Sequence, residues 1–190
     1  MKWVYGSMLP VLWTTWAIYW LSQAKFVKPN IREESAILGL LHMGPLAFAA
    51  CLLIPNRLPI ASLTRRFFPS SAPLYWSGVG LTVLGLVFSV WARHHLGSNW
   101  SGRVTVKDEH ELITSGPYAI VRHPIYTGLI LAYFGSALTR MDWRALIAVT
   151  MVLGALWRKL KLEEKWMLQQ FGDRYREYRA RSAAILPFLL

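Results

Sequence analysis

Long apolar segments dominate this chain and limit the folds that are open to it. A helix needs roughly 20 apolar residues to cross the hydrocarbon core of a bilayer. Five stretches reach or approach that length: residues 3–24, 36–55, 73–92, 124–138 and 143–157. Hydrophobic residues make up 54% of the chain and charged residues only 16%, unlike an ordinary soluble domain. The sequence therefore predicts an all-α integral membrane protein with about five transmembrane helices.

The last two apolar segments are shorter than the first three. Only Thr139-Arg140-Met141-Asp142 separates them, so we expect a tight helical hairpin. The chain is expected to form one membrane domain over residues 1–190. Within it, residues 1–92 would carry three spans, and residues 93–190 a polar loop, the hairpin and a C-terminal tail.

The distribution of Lys and Arg predicts how the chain is oriented. With five spans, 15 of the 21 basic residues fall on one side and 6 on the other. Cytoplasmic loops carry the excess of Lys and Arg, so the loop after the third span and the C-terminus are expected in the cytoplasm. Attraction between this face and anionic membrane lipids explains the net charge of +11, and no nucleic acid partner is predicted.

Polar residues are concentrated where the fourth apolar segment begins. Arg122 and His123 directly precede Pro124, and proline favours the first turn of a helix. Both side chains should therefore lie at a helix N-terminus, which carries partial positive charge and unpaired N–H groups. Ionisable residues held this close to a span are functional candidates. The segment predicts an anion-binding site.

The tail that follows the fifth segment is expected to be helical. No Gly or Pro occurs between Arg158 and Gly172, so the fifth helix should continue beyond the membrane surface. Lys159 and Glu163 are four residues apart and would share a face of this helix. Gly172 should end it, and a second short helix containing Tyr178 should follow.

Each of these features also has a purely structural interpretation. Tyr118 and Tyr126 are of the type that anchors a protein at the membrane interface. Arg158 is a typical basic flank of a span, and Glu163 with Glu164 would suit a solvated helix face.

Two further patterns concern ligand binding. Gly78, Gly80 and Gly85 resemble part of a nucleotide-binding motif, but they lie within an apolar segment that no strand precedes. Close helix packing is the better interpretation. No group of His, Cys or carboxylate residues shows metal-ligand spacing, so no metal site is predicted.

The chain resembles the isoprenylcysteine carboxyl methyltransferases, within a wider group that includes the phospholipid N-methyltransferases. The resemblance rests on residues 115–118, 122–128, 163–164 and 171–178 and covers about residues 91–187. It implies a multi-pass membrane enzyme that binds S-adenosylmethionine without a Rossmann fold and releases S-adenosylhomocysteine. Eukaryotic members tend to have more spans, so the five-span form looks like a prokaryotic version, placed in the inner membrane.

The resemblance also implies roles for individual residues. Catalytic roles fall to Arg122 and Glu163. The methyl acceptor would contact Arg122, Arg158 and Lys159, where Lys159 replaces an Arg of the eukaryotic members. The implied cofactor-binding residues are Arg103, His110, Glu111, Leu112, Ile113, Tyr118, His123, Pro124, Ile125, Tyr126 and Glu163.

The favoured reaction is carboxyl O-methylation of a prenylated cysteine or a similar lipid-linked carboxylate. A terminal carboxylate is ionised at neutral pH and needs no general base, whereas an ethanolamine headgroup would need one. Two alternatives stay open: a phospholipid ethanolamine N-methyltransferase, and a lipid-binding membrane protein without enzymatic activity.

Overall fold

The computed structural model describes residues 2–24, 27–53, 61–69, 71–107 and 111–187. Helices make up most of these residues, and short 3-10 turns lie at Ala61–Thr64 and Gly97–Asn99. The elements, in chain order, are α1 (Lys2–Gln23), β1 (Asn30–Glu33), α2 (Ala36–Leu53), α3 (Ala72–Leu96), β2 (Thr105–Lys107), α4 (Pro117–Ile120), α5 (Pro124–Leu138), α6 (Trp143–Phe171) and α7 (Asp173–Arg181).

The helices expose extensive apolar surface. Within the described residues, two helical segments are long and apolar enough to cross a membrane, Ala36–Leu53 and Ala72–Asn99, and α5 is a shorter apolar helix. Val11, Ile18 and Leu84 are each at least 60% exposed. Exposed apolar side chains on several helices are expected of a protein whose helices lie in a membrane.

Glycines bring α3 and α5 into direct backbone contact. A Cβ atom at Gly85 would lie 2.4 Å from the carbonyl oxygen of Gly128, and one at Gly78 would lie 2.6 Å from that of Gly135. Small residues let membrane helices approach this closely. The packing interpretation is therefore confirmed for Gly78 and Gly85. It is wrong for Gly80, where a Cβ would meet nothing within 4 Å.

The predicted hairpin between α5 and α6 is present. Met141 adopts a left-handed conformation with φ of 50° and reverses the chain. Asp142 then caps α6, because its carboxylate accepts a hydrogen bond of 3.0 Å from the backbone N–H of Ala145. The same carboxylate pairs with Arg140 at 3.2 Å and Arg144 at 2.9 Å. These contacts fix the point at which α6 begins.

The tail also folds as predicted. Helix α6 continues from the apolar segment to Phe171 without a break. Gly172 ends it with φ of 52°, a conformation that glycine adopts without steric cost, and α7 follows. The α6 extension therefore carries Lys159, Glu163 and Glu164 beyond the apolar part of the helix.

A small antiparallel sheet departs from the all-α prediction. Strand β1 pairs with β2, with Arg32 opposite Val106 and Glu33 opposite Thr105. The pairing continues one residue further, where the N–H of Glu34 donates to the carbonyl of Val104 at 3.0 Å. Strands of three and four residues are too short to show a period of two, so the sequence pattern did not reveal them. The sheet ties the loop before α2 to the loop after α3.

Candidate active site

One large cavity, of about 900 Å³, lies between α1, α2, α5, α6 and the loop after α3. Its polar end is formed by Arg103, His123, Lys159 and Glu163. Its apolar end is formed by Trp13, Trp16, Leu46 and Tyr133. The volume lies in the range of small-molecule sites, and the two ends suit an amphiphilic ligand.

At the polar end, one imidazole joins two adjacent carboxylates. His123 stands at the start of α5, and its Nδ1 lies 3.4 Å from Oε2 of Glu163. Its Nε2 lies 3.5 Å from Oε1 of Glu164 but is buried without a hydrogen bond. The His123 ring also stacks on Tyr126, with centroids 5.2 Å apart and planes 6° from parallel. The helix start and the α6 extension are thus joined at this residue.

His123 and each of the two carboxyls shift one another's pKa, and all three groups lie outside the apolar part of their helices. Burial lowers the pKa of His123, but the neighbouring Glu163 and Glu164 outweigh it, so the pKa is raised. Burial raises the pKa of Glu163, but His123 and Lys159 outweigh it, so the pKa is lowered. The pKa of Glu164 falls to about 2, because His123 and Arg122 outweigh burial. The cluster therefore favours two carboxylates and an imidazolium.

Arg122 connects this cluster to the tail. Its Nε donates a hydrogen bond of 2.8 Å to Glu164 Oε1. Its Nη1 donates to the backbone carbonyls of Arg179 and Ser182. The side chain also lines the cavity, so it contacts both the tail and the space for a ligand. Its role at the methyl acceptor stays a prediction.

The segment after α7 docks on the same residues. The backbone N–H of Arg122 donates to the carbonyl of Ala183 at 2.9 Å, and that of His123 donates to Ala184 at 3.0 Å. Val121 and Ala183 form an isolated parallel bridge. The hydroxyl of Thr127 donates to the carbonyl of Ile185 at 2.6 Å. The tail therefore holds the backbone from which His123 projects.

The two cations predicted to contact the acceptor differ in position. Lys159 is buried and lines the cavity; its Nζ donates to the carbonyl of Gly102 at 2.7 Å and lies 3.8 Å from Glu163. Arg158 instead contacts α2, where its Nη1 donates to the carbonyl of Leu38 at 3.3 Å. Arg158 is not among the lining residues that the structure describes. An acceptor contact by Arg158 stays a prediction without geometric support.

Most of the predicted cofactor residues meet at the cavity. Its lining includes Arg103, Glu111, Leu112, Ile113, Tyr118, His123, Ile125, Tyr126 and Glu163. Pro124 is buried at the first turn of α5 and acts on the site through the helix start. His110 lies outside the described residues. The arrangement brings together side chains from five separate parts of the chain, although their cofactor roles stay predictions.

The burial of Tyr118, Tyr126 and Glu164 tests whether these residues serve only as membrane anchors or as a solvated helix face. Tyr118 and Tyr126 are buried, so neither is an exposed interfacial anchor. Glu164 is 6% exposed, so the solvated-face interpretation is wrong for it. Burial, followed by the charge of Glu163, raises the pKa of Tyr118.

Sequence reasoning missed the residues of the apolar end. Trp13, Trp16 and Trp20 lie on one face of α1 and all line the cavity. Their spacing of three and four residues was a visible signal, but in an apolar helix it does not distinguish a cavity wall from a packing face. The sequence also did not reveal that Tyr178 supports the backbone of Tyr118, to whose carbonyl its hydroxyl donates a hydrogen bond of 2.6 Å.

Comparisons with known proteins identify the class to which this fold and cavity belong. Residues 73–174 match the family model described as phospholipid methyltransferase. More than half of the chain is matched, so the protein is a membrane methyltransferase of this family.

Relatives narrow the assignment. Protein-S-isoprenylcysteine O-methyltransferase B of Arabidopsis thaliana is 30% identical over 75% of this chain and 74% of its own length. The Saccharomyces cerevisiae protein-S-isoprenylcysteine O-methyltransferase is also 30% identical, over 87% of this chain and 72% of its own length. The human protein-S-isoprenylcysteine O-methyltransferase is 31% identical over 67% of this chain and 47% of its own length. The chain therefore belongs to the isoprenylcysteine O-methyltransferase family, as the sequence resemblance indicated.

A solved structure agrees with this fold. The eukaryotic intramembrane Ras methyltransferase, an isoprenylcysteine carboxyl methyltransferase, superposes with a TM-score of 0.53 and 22% identity, covering 79% of this chain and 63% of that one. At this identity the likeness concerns the fold alone.

Proposed function

We propose that this methyltransferase transfers a methyl group from S-adenosylmethionine to the carboxylate of a prenylated cysteine, or of a similar lipid-linked acceptor. The observation that carries the proposal is the single cavity that joins the polar end to the apolar end. A prenylcysteine has the same division, with a charged carboxylate at one end and an apolar chain at the other. The relatives' names point to the same acceptor.

The residues of the polar end suit the methyl donor. Its amino-acid part carries an ammonium and a carboxylate, and the cavity offers carboxylates at Glu111 and Glu163 and a guanidinium at Arg103. His123 also lines the cavity, and its Nε2 lies 3.5 Å from Oε1 of Glu164, so its ring is held in place at this end. Tyr118 and Tyr126 add aromatic walls. These residues would hold S-adenosylmethionine by charge, hydrogen bonds and stacking.

The bound donor would supply a methyl group that its sulfonium already activates. An acceptor carboxylate oxygen attacks that carbon, the carbon–sulfur bond breaks, and its electron pair stays on sulfur, so the products are a methyl ester and S-adenosylhomocysteine. No proton moves in this step. The chain's task is to orient the acceptor and exclude water, which is what Lys159 and the buried Tyr126 at this end would do.

The ionisation of the cluster favours a carboxylate acceptor over an ethanolamine headgroup. An ammonium acceptor must first lose a proton, and Glu163 or Glu164 would have to take it. The pKa of each carboxyl is lowered, which makes both weak bases. His123 has a raised pKa and is already paired with these carboxylates. Phospholipid N-methylation is therefore the second candidate.

The proposal includes a location and a topology. The sheet places the loop before α2 beside the loop after α3, as expected if both lie on one side of the membrane. The excess of Lys and Arg would make that side cytoplasmic. We propose one domain of five spans with its active site and C-terminus in the cytoplasm, in the inner membrane of a prokaryote. A reporter fused at Leu190 that is active only after export should be inactive.

The deciding experiment offers two acceptors to the purified protein with a labelled methyl donor. We expect label in a base-labile methyl ester of farnesylcysteine and none in an ethanolamine phospholipid. Label only in the phospholipid would replace the proposal with N-methylation. Absence of both products, together with no S-adenosylmethionine binding by calorimetry, would favour a lipid-binding protein without turnover.

A further inference from the structure

We propose that Glu34 is a positioning residue of the methyl-donor site: it holds the loop after α3 so that the guanidinium of Arg103 pairs with the carboxylate of S-adenosylmethionine. The inference rests on the proposed function, because it assumes that this donor occupies the polar end of the cavity. Glu34 lies between β1 and α2 and is not among the lining residues that the structure describes. Arg103 does line the cavity, so Glu34 acts through it.

Glu34 makes two hydrogen bonds to a single residue of that loop. Its backbone N–H donates to the carbonyl of Val104 at 3.0 Å, and its Oε1 accepts a hydrogen bond of 2.9 Å from the N–H of Val104. Both residues are buried. A buried carboxylate costs free energy unless it is paired and hydrogen-bonded, and an unpaired backbone N–H is costly too. The backbone of Val104 is therefore tied to the position of one buried side chain.

Side chains of two helices hold the Glu34 carboxylate in turn. Nε2 of His42, on α2, lies 3.1 Å from Oε1 of Glu34, and both side chains are fully buried. Nη1 of Arg158, on α6, lies 3.3 Å from Nδ1 of His42. Because an arginine can only donate, Nδ1 is the acceptor and the ring carries its proton on Nε2, the nitrogen beside Glu34. Arg158 is thus linked to the loop through His42 and Glu34.

The loop is held on both sides of Arg103. Before it, the carbonyl of Gly102 accepts a hydrogen bond of 2.7 Å from Nζ of Lys159. After it, Val104 is bonded to Glu34 through its N–H and its carbonyl. The two anchors come from opposite sides, one from α6 and one from the segment before α2. Arg103 therefore leaves the backbone from a fixed point at the polar end of the cavity.

The side chain of Arg103 is confined but keeps donors for a ligand. A Cβ at Gly39 would lie 3.0 Å from Cδ of Arg103, so this side chain packs directly on α2. Its guanidinium pairs with Glu33, yet the side chain remains 44% exposed and lines the cavity. A guanidinium has five N–H donors, so one carboxylate partner leaves donors for a second. The carboxylate is the anionic group of the methyl donor, and Arg103 is placed to bind it.

The test measures, by calorimetry in detergent, the affinity for S-adenosylmethionine and for its decarboxylated analogue, which lacks the anion that Arg103 binds. Arg103→Met should weaken S-adenosylmethionine binding about tenfold or more, and Glu34→Ala about fivefold or more, because a hydrogen bond to a charged group is lost or misplaced. Binding of the analogue should be unchanged in both variants. Glu34→Gln keeps an oxygen that accepts from the N–H of Val104, so it should bind both ligands like the parent.

Two further measurements separate positioning from a loss of stability. In an Arg103→Met background, Glu34→Ala should cause no further loss of affinity, because a residue that acts only through Arg103 then has nothing to position. Asp142→Ala is the matched control. Asp142 is also a buried carboxylate that accepts a backbone N–H, but it lies at the hairpin and is not among the described lining residues. This variant should lower the Tm and leave both affinities unchanged.

The outcomes separate this inference from the proposed function. Parent-like affinity in folded Glu34→Ala or Arg103→Met, equal losses for the two ligands, or a further loss in the double variant would overturn the inference and leave the proposed function standing. If Glu34→Ala does not fold, Glu34→Asp decides. It keeps the charge but is one methylene shorter, so parent-like S-adenosylmethionine binding there would overturn the inference. A parent protein that binds neither ligand would overturn the proposed function and this inference with it.

Discussion

Nδ1 of His123 lies 3.4 Å from Oε2 of Glu163, and this contact joins the start of α5 to the extension of α6. The two residues come from two of the four segments that carry the family resemblance. A buried ion pair stabilises a structure only when both partners are present, because removing one leaves the other charge unpaired. Substitutions here are therefore expected to act on ligand binding and on stability together.

Glu163→Gln should weaken S-adenosylmethionine binding by about 10- to 100-fold, which corresponds to the loss of about 1.5–3 kcal/mol from a hydrogen bond to a charged group. The amide keeps the shape of the side chain but not its charge. Isothermal titration calorimetry on detergent-solubilised protein measures the effect. Glu177→Gln, at an exposed position of α7, is the control and should bind like the parent. Parent-like binding by Glu163→Gln would remove Glu163 from the cofactor site.

The ion pairs of His123 predict how stability changes with pH. Because the pKa of His123 is raised in the folded protein, its contribution is complete below the unfolded value of about 6.5 and is lost as the pH rises through the folded value. The Tm advantage of the parent over His123→Gln should thus shrink above about pH 6.5, by about 2–4 °C for each kcal/mol lost. Thermal unfolding in detergent measures both proteins. An advantage that grows with pH would contradict the charged imidazole.

Glu164 should affect the thermal stability of the protein at the acidic end of the pH range. Its pKa is about 2 in the folded protein, so its contribution is present above the unfolded value of about 4.3 and is lost as the pH falls towards 2. The Tm difference between the parent and Glu164→Gln should therefore close below about pH 4.5. The same unfolding assay tests this, and a difference that persists to the lowest measurable pH would count against the ion pairs of Glu164.

Charge reversal at Lys159 should impair use of the acceptor. Lys159→Glu is expected to lower kcat/KM for the acceptor by about 30-fold or more, since disrupting a buried charge pair costs at least about 2 kcal/mol. Lys159→Arg keeps the charge and should retain activity. Lys161→Glu is the matched control, because Lys161 lies on the exposed face of the same helix. Steady-state kinetics with farnesylcysteine measure the effect. Equal kcat/KM values for Lys159→Glu and Lys161→Glu would exclude a contact between Lys159 and the acceptor.

Arg122→Lys separates an acceptor contact from support of the tail. Lysine cannot reproduce the planar set of donors that reaches Glu164 and the carbonyls of Arg179 and Ser182. We expect a lower Tm together with a lower kcat, and a nearly unchanged Kd for S-adenosylmethionine. Arg174→Lys, on the exposed face of α7, is the control. A lower kcat at the parent Tm would assign Arg122 to the acceptor alone.

A Cβ at Gly85 should disrupt the contact between α3 and α5. It would lie 2.4 Å from the Gly128 carbonyl oxygen and 2.5 Å from the N–H nitrogen of Ala132, neither of which is a flexible side chain. Gly85→Ala is therefore expected to cost about 1–3 kcal/mol, the range for overpacking. Gly80→Ala is the control in the same helix, where open space surrounds the added methyl group. Equal thermal stability of the two variants would contradict the observed packing.

The sequence predicted most of what depends on local signals. The end of α6 at Gly172 and the hairpin at Asp142 follow from residues whose conformational preferences act locally. The pairing of Lys159 with Glu163 follows from helical spacing. Contacts between residues that are far apart in the chain could not be predicted from such local signals. For Glu164 the sequence indicated only a solvated helix face, because nothing local shows that Arg122 and His123 approach it from another element.

The hydrogen bonds from Arg122 and His123 to Ala183 and Ala184 have a consequence for biosynthesis. A ribosome releases residues 122 and 123 long before it makes the segment that receives their amide groups. The nascent protein can insert its earlier helices and still lack a fixed imidazole. We therefore expect that the polar end of the cavity is completed only after translation has passed α7, and that chains released before Ala183 enter the membrane without it.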